Sequence, residues 1–95
     1  MPKWELPAHV RDQVSRAMVS VLLNTAEGCG KVSRRDKCRF YATARGSLLE
    51  VSAGLDVATT LGKLSKMEHE TLQGELLIIT KMFSKLIQVT SLSQS

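Results

Sequence analysis

Three stretches of this chain place apolar residues at alternating steps of four and three, and no proline interrupts any of them. Val10, Val14, Ala17 and Val21 form the first stripe. Ala44, Leu48, Val51, Leu55 and Ala58 form the second, with Phe40 one turn earlier. Leu72, Leu76, Ile79, Phe83 and Leu86 form the third. This stepping is what a helix needs to keep one face against a neighbour. Both prolines, Pro2 and Pro7, precede the first stripe, so no proline breaks a helix after residue 7. Strand-like alternation is absent. Leu, Val, Ala, Met, Ser, Lys and Glu dominate, and aromatics are confined to Trp4, Phe40, Tyr41 and Phe83; this palette favours helices over sheets.

The stripes are punctuated at both ends. Pro7 suits the start of a helix. Gly28 and Gly30 are read as ending the first helix, and Gly62 the second. Ser33 with Asp36 and Ser65 with Glu68 repeat an S-x-x-[DE] capping signature at the start of helices two and three. The spacing predicts helices over residues 8–27, 34–61 and 66–90, with a polar, frayed tail over 91–95. With only short turns between them, neighbours must run antiparallel. The fold class predicted is all-α: a single domain over residues 1–95, an up-and-down antiparallel helical bundle. Gly46 and Gly54 interrupt the second stripe, and each costs up to about 1 kcal/mol of helix propensity relative to Ala. Close approach of a neighbouring helix is the expected reason.

A chain of 95 residues buries only about 60–65% of its unfolded surface and is marginal alone. Yet it carries more apolar surface than three helices need. Met18, Val19, Leu22 and Leu23 make helix one apolar nearly all round, and Leu77, Ile78, Met82, Ile87 and Val89 give helix three a second apolar face. A wider internal core is one reading. The excess over the few hundred Å² that monomers expose favours a homo-oligomer, with Leu77, Ile78, Met82 and Ile87 at the subunit interface.

The charge is local. Between residues 31 and 45 stand Lys31, Arg34, Arg35, Lys37, Arg39 and Arg45 against Asp36 alone, whereas the whole chain is only +4. Rows of cations along a helix neutralise phosphates without reading sequence. The patch predicts binding of an RNA or DNA backbone through helix two; the competing reading is a solvated helix face on a structural or protein-interaction module. Bases could stack only on Tyr41, since no aromatics alternate with the charges.

Other chemistries lack their residues. Cys29 and Cys38 are two thiols without further ligands, His9 and His69 lie far apart, and Gly28-Cys29-Gly30 lacks the rest of a phosphate-cradling motif. No carboxylate pair has acid–base spacing. The expectation is a non-enzyme with no metal, no cofactor and no small-molecule substrate. No signal-like start or long apolar run is present, so a cytoplasmic chain with reduced thiols is expected.

From Gln13 to Glu50 the sequence is more specific than periodicity. It reads Gln13, Arg16, Ala17, Ser20, Val21, then Asn24-Thr25-Ala26-Glu27-Gly28, then Gly30-Lys31, Ser33, Phe40, and Ala44-Arg45-Gly46-Ser47-Leu48 with Glu50. This resembles the signature of the four-helix-bundle family encoded within 23S rRNA intervening sequences, with Thr25 where that family usually has Ile. The family carries a whole helix before the Leu-Pro that is here Leu6-Pro7, and only five residues precede that pair. Three of its four helices are therefore expected, the missing contacts being supplied by a partner subunit or lost by truncation. The resemblance implies a ring-forming bundle, a pentamer, and a relationship to the accessory protein of diversity-generating retroelements, whose similar basic barrel engages nucleic acid and a reverse transcriptase. Asn24, Glu27, Gly28, Gly46, Ser47 and Glu50 are the motif positions. Asn24, Glu27, Arg45, Ser47 and Glu50 read either as a ligand or RNA-contacting cluster or, preferably, as an interhelical network that fixes register, with Glu27 pairing Arg34 or Lys37.

Overall fold

A computed structural model describes residues 6–92. It contains α1 (Ala8–Gly30), α2 (Arg34–Thr60) and α3 (Lys66–Leu92), and no strand among the described residues. Pro7 stands immediately before α1 in an extended conformation, and its carbonyl accepts from the N–H groups of Val10 and Arg11. Ser33 caps α2 by accepting from the Asp36 N–H at 3.1 Å. The end of α2 is closed by a Schellman motif. Gly62 adopts φ +74 there, its N–H donates to Thr59, and the Lys63 N–H donates to Ala58 at 2.9 Å.

A complete capping box opens α3. The Ser65 N–H donates to the Glu68 carboxylate at 2.9 Å, and the Glu68 N–H donates to the Ser65 hydroxyl at 3.0 Å. The backbone hydrogen bond from Ser65, followed by the contact with its hydroxyl, holds the Glu68 carboxyl below the usual carboxylate range. A depressed carboxyl stabilises the fold at neutral pH, and the contribution is lost as pH falls through its folded value. Protection of the amides in the first turn of α3, relative to their intrinsic exchange rates, is therefore expected to fall in mild acid, and Glu68→Gln, which cannot titrate, should remove that acid dependence.

Three boundaries differ from the sequence reading, that of α2 by one residue, since it ends at Thr60. α1 continues through Gly28 to Gly30, so Gly28 is not a stop signal. It is buried against α2, where a Cβ would lie 2.6 Å from Tyr41 Cε1 and 2.8 Å from Cδ1. Tyr41 is itself buried, so its ring has little room to yield. Gly28→Ala should lower stability by about 1–3 kcal/mol through overpacking, measurable by denaturant unfolding. At the other end α3 runs to Leu92, so Ser91 and Leu92 are helical rather than frayed tail; residues 93–95 lie outside the described residues.

The helices form a layer rather than a closed bundle. α2 is central, α1 and α3 each pack along it, and α1 does not contact α3. The molecule measures 49 × 23 × 17 Å, and 17 Å is less than two helix diameters. Contacts at Val14–Gly54, Ser20–Ser47 and Gly28–Tyr41 run antiparallel between α1 and α2. Asp56–His69, Ser52–Gln73 and Arg45–Ser84 do the same between α2 and α3. The buried stripe lies mostly on α2: Tyr41, Ala44, Ser47, Leu48, Val51, Leu55 and Ala58. Leu6 and Leu64 close one end of it. α3 contributes no buried residue.

Gly54 behaves as its position predicts, because a Cβ there would collide with Val14. Gly46 does not: nothing lies within 4 Å of where its Cβ would be, so no helix of the same chain accounts for it.

Candidate functional site

The antiparallel order gathers charge at one end of the layer. The end of α1, the start of α2 and the end of α3 lie side by side there. They bring Lys85, and nearer the middle Lys81, of α3 into the half of the layer that carries Lys31, Arg34, Arg35, Lys37, Arg39 and Arg45. Residues 27–45 and 80–92 hold these eight cations and two acids, Glu27 and Asp36; the rest of the chain holds five cations and seven acids. Sequence reasoning missed Lys81 and Lys85 because they stand far from helix two in the chain, and only the topology joins them to it.

The tethered cations are held by carbonyls, a hydroxyl and one aromatic ring. The Lys37 ammonium donates to the carbonyls of Gly28 (3.3 Å) and Cys29 (3.1 Å), capping the negative end of the α1 dipole. Glu27 thus does not take Lys37; its carboxylate lies 3.5 Å from Lys31. Arg45 donates to the Ser84 hydroxyl at 3.1 Å and so ties α2 to α3. Lys31 lies 5.2 Å from the Phe40 ring centroid and Arg39 lies 4.4 Å from it. Arg39 also lies 3.6 Å from Asp36. Both ion pairs are exposed, and such pairs stabilise by about 1 kcal/mol at most. Arg34 and Arg35 are exposed in the first turn of α2, where the helix dipole disfavours cations. The helix dipole therefore gives no reason for cations there.

Tyr41 cannot offer a stacking face. It is 4% exposed, and its hydroxyl donates to Cys29 Sγ at 3.6 Å. Burial first, then this bond, push its phenol above the ordinary value. Of the motif polar residues, Ser47 bridges α1 and α2 through Ser20. Asn24 donates to the Ser20 carbonyl and hydroxyl, and Ser20 Oγ meets the buried Ser47 Oγ at 2.7 Å. Ser47 also donates to the Thr43 carbonyl. Glu50 instead borders a shallow groove of about 500 Å³ between α1 and α2, together with Gln13 and Arg16.

A second feature is the cleft left between α1 and α3. Val51 and Leu55 of α2 form its floor, Val14 and Met18 one wall, and Leu72, Leu76 and Ile79 the other, around about 570 Å³. It continues along Met82, Leu86 and Val89 opposite Thr25. Of the expected interface residues, Met82 lines this cleft and is 64% exposed. Leu77 and Ile78 are exposed outside it. Ile87 is half-buried toward α2, where the Cys38 thiol donates to its carbonyl at 3.6 Å. The sequence reading also missed a second stripe on α2: Ala42, Gly46, Leu49, Ala53 and Val57 step along its outer face, and all but Ala42 are exposed.

Among the described residues, no three His, Cys, Asp or Glu side chains converge as a metal-binding set, and no helix is long and apolar enough to cross a membrane. No curated protein and no solved structure matches the chain. The family model of the 23S rRNA-intervening sequence protein matches residues 5–85. That span takes in the hydrogen-bond network around Asn24 and Ser47, both turns, and the basic end. The chain therefore belongs to the 23S rRNA-intervening sequence protein family.

Proposed function

We propose that the chain works as a non-enzymatic, cytoplasmic, homo-oligomeric helical-bundle protein whose basic end binds the backbone of RNA or DNA. The observation that carries this reading is the concentration of eight cations in one half of the layer, with Arg34 and Arg35 in a helix turn where they oppose the dipole. A carbonyl, a hydroxyl or an aromatic face tethers a cation without cancelling its charge. Lys37 and Arg45 therefore still present charge to a ligand, and phosphates are the dense anions that such an array suits.

Oligomerisation has its own support. The α1–α3 cleft has the form of a vacant helix position in a four-helix bundle, with an apolar floor and walls. A helix from a second copy closes the cleft, and the outer stripe of α2 gives a further face for ring contacts. Five copies is the number that the family resemblance implies. A purely structural assembly would use the cleft alone and leave the basic end to solvent.

The test is fluorescence polarisation of a labelled, structured RNA across a salt series. Engagement of about four to six phosphates gives a log–log slope near −4 to −5. Failure to bind at low salt would remove the nucleic-acid reading and leave the structural one.

A further inference from the structure

We infer that the basic end takes double-stranded nucleic acid, and that Phe40 is a positioning residue that sets the spacing of its cations. The inference rests on the backbone-binding reading and narrows its ligand. Proteins that hold single strands offer exposed aromatic faces on which successive bases stack. This end offers none among the described residues. The ring of Phe40 is occupied by Lys31 at 5.2 Å and Arg39 at 4.4 Å. Tyr41 is buried with its hydroxyl on Cys29. Phe83 is half-buried and lines the cleft.

The cations, by contrast, are held in place. Phe40 lies next to the α1–α2 turn and gathers Lys31 from the turn and Arg39 from α2 about one ring, by attraction to its π face. That contact restrains both side chains; their carboxylate partners, Glu27 at 3.5 Å and Asp36 at 3.6 Å, form exposed pairs that a phosphate can displace. Lys37 is fixed on the end of α1 and Arg45 on α3. A restrained array matches the regular phosphates of a duplex. A flexible strand gives it a lower charge density and no stacking in return.

The experiment compares a labelled duplex of about two helical turns, as RNA and as DNA, with an unstructured homopolymer strand of the same length, in one moderate-salt buffer. The duplexes are expected to bind about tenfold or more tightly than the strand. Equal or tighter binding of the strand would overturn this inference and leave the backbone reading intact. Binding of neither would overturn both. Phe40→Leu keeps an apolar side chain but removes the π face, and should weaken duplex binding about three- to tenfold with the helical signal unchanged. Phe40→Tyr should restore it. Unchanged duplex affinity in Phe40→Leu would contradict the positioning role. The duplex–strand comparison uses the unaltered chain and stands whether or not that variant folds.

Discussion

Neutralising Arg34, Arg35, Lys37 and Arg39 together with glutamine is expected to weaken binding of structured RNA by about 10²–10³-fold at moderate salt, and to flatten the salt slope by about three to four. Each phosphate contact releases a condensed counterion, so the loss compounds with every cation removed. The variant should remain folded. Arg39 gives up one exposed ion pair and its place on Phe40, and Lys37 gives up its cap on α1, each a change of about 1 kcal/mol or less. Lys63→Gln with Lys66→Gln, at the opposite end, serves as the control and should change affinity less than about threefold. Equal losses in the two variants would assign binding to net charge and dissolve the site.

Leu55→Ala is expected to lower stability by about 2–5 kcal/mol, the usual range for truncating a buried leucine. Leu55 is 6% exposed and joins the cluster of Leu6, Ala58 and Leu64, against which Val10, Leu72 and Leu76 pack. It is the point on α2 against which both α1 and α3 pack, and it also floors the open cleft. In a domain this size each 1 kcal/mol shifts the midpoint by about 4–8 °C, so a drop of 10 °C or more in thermal unfolding is expected. A shift under about 2 °C would mean that this cluster is not the core. Met82→Ala separates packing within the chain from packing between chains. Met82 is largely exposed in the cleft, so an isolated chain tolerates the change within about 0.5 kcal/mol, whereas an assembly with an occupied cleft weakens markedly.

Much of this fold is legible in the sequence because its signals are local. The Ser33 and Ser65 caps and the stop at Gly62 form over a few residues, so the motifs alone place them. The stripes likewise select the buried positions of α2. What periodicity does not contain is the pairing of faces. All three helices carry the same four–three stepping, and nothing in it makes α2 central or keeps α1 from α3. That arrangement decides the rest: the cleft, the exposed outer stripe of α2, and the recruitment of Lys81 and Lys85 to the basic half. Gly28 differs from its local signal for a related reason. A glycine near a turn signals a helix stop locally, but here its missing side chain admits the Tyr41 ring, a contact between positions 13 residues apart. Glu27 likewise pairs with Lys31, four residues on, rather than with a cation of α2.

That the cleft between α1 and α3 is filled by another copy of the chain is tested most directly by the molar mass of the folded protein in solution. Multi-angle light scattering at micromolar concentration is expected to give a whole-number multiple, two or more, of the 10.5 kDa chain mass. A well-folded species at 10.5 kDa would contradict the account, because the cleft and its exposed leucines and methionines would then face water with no copy to cover them.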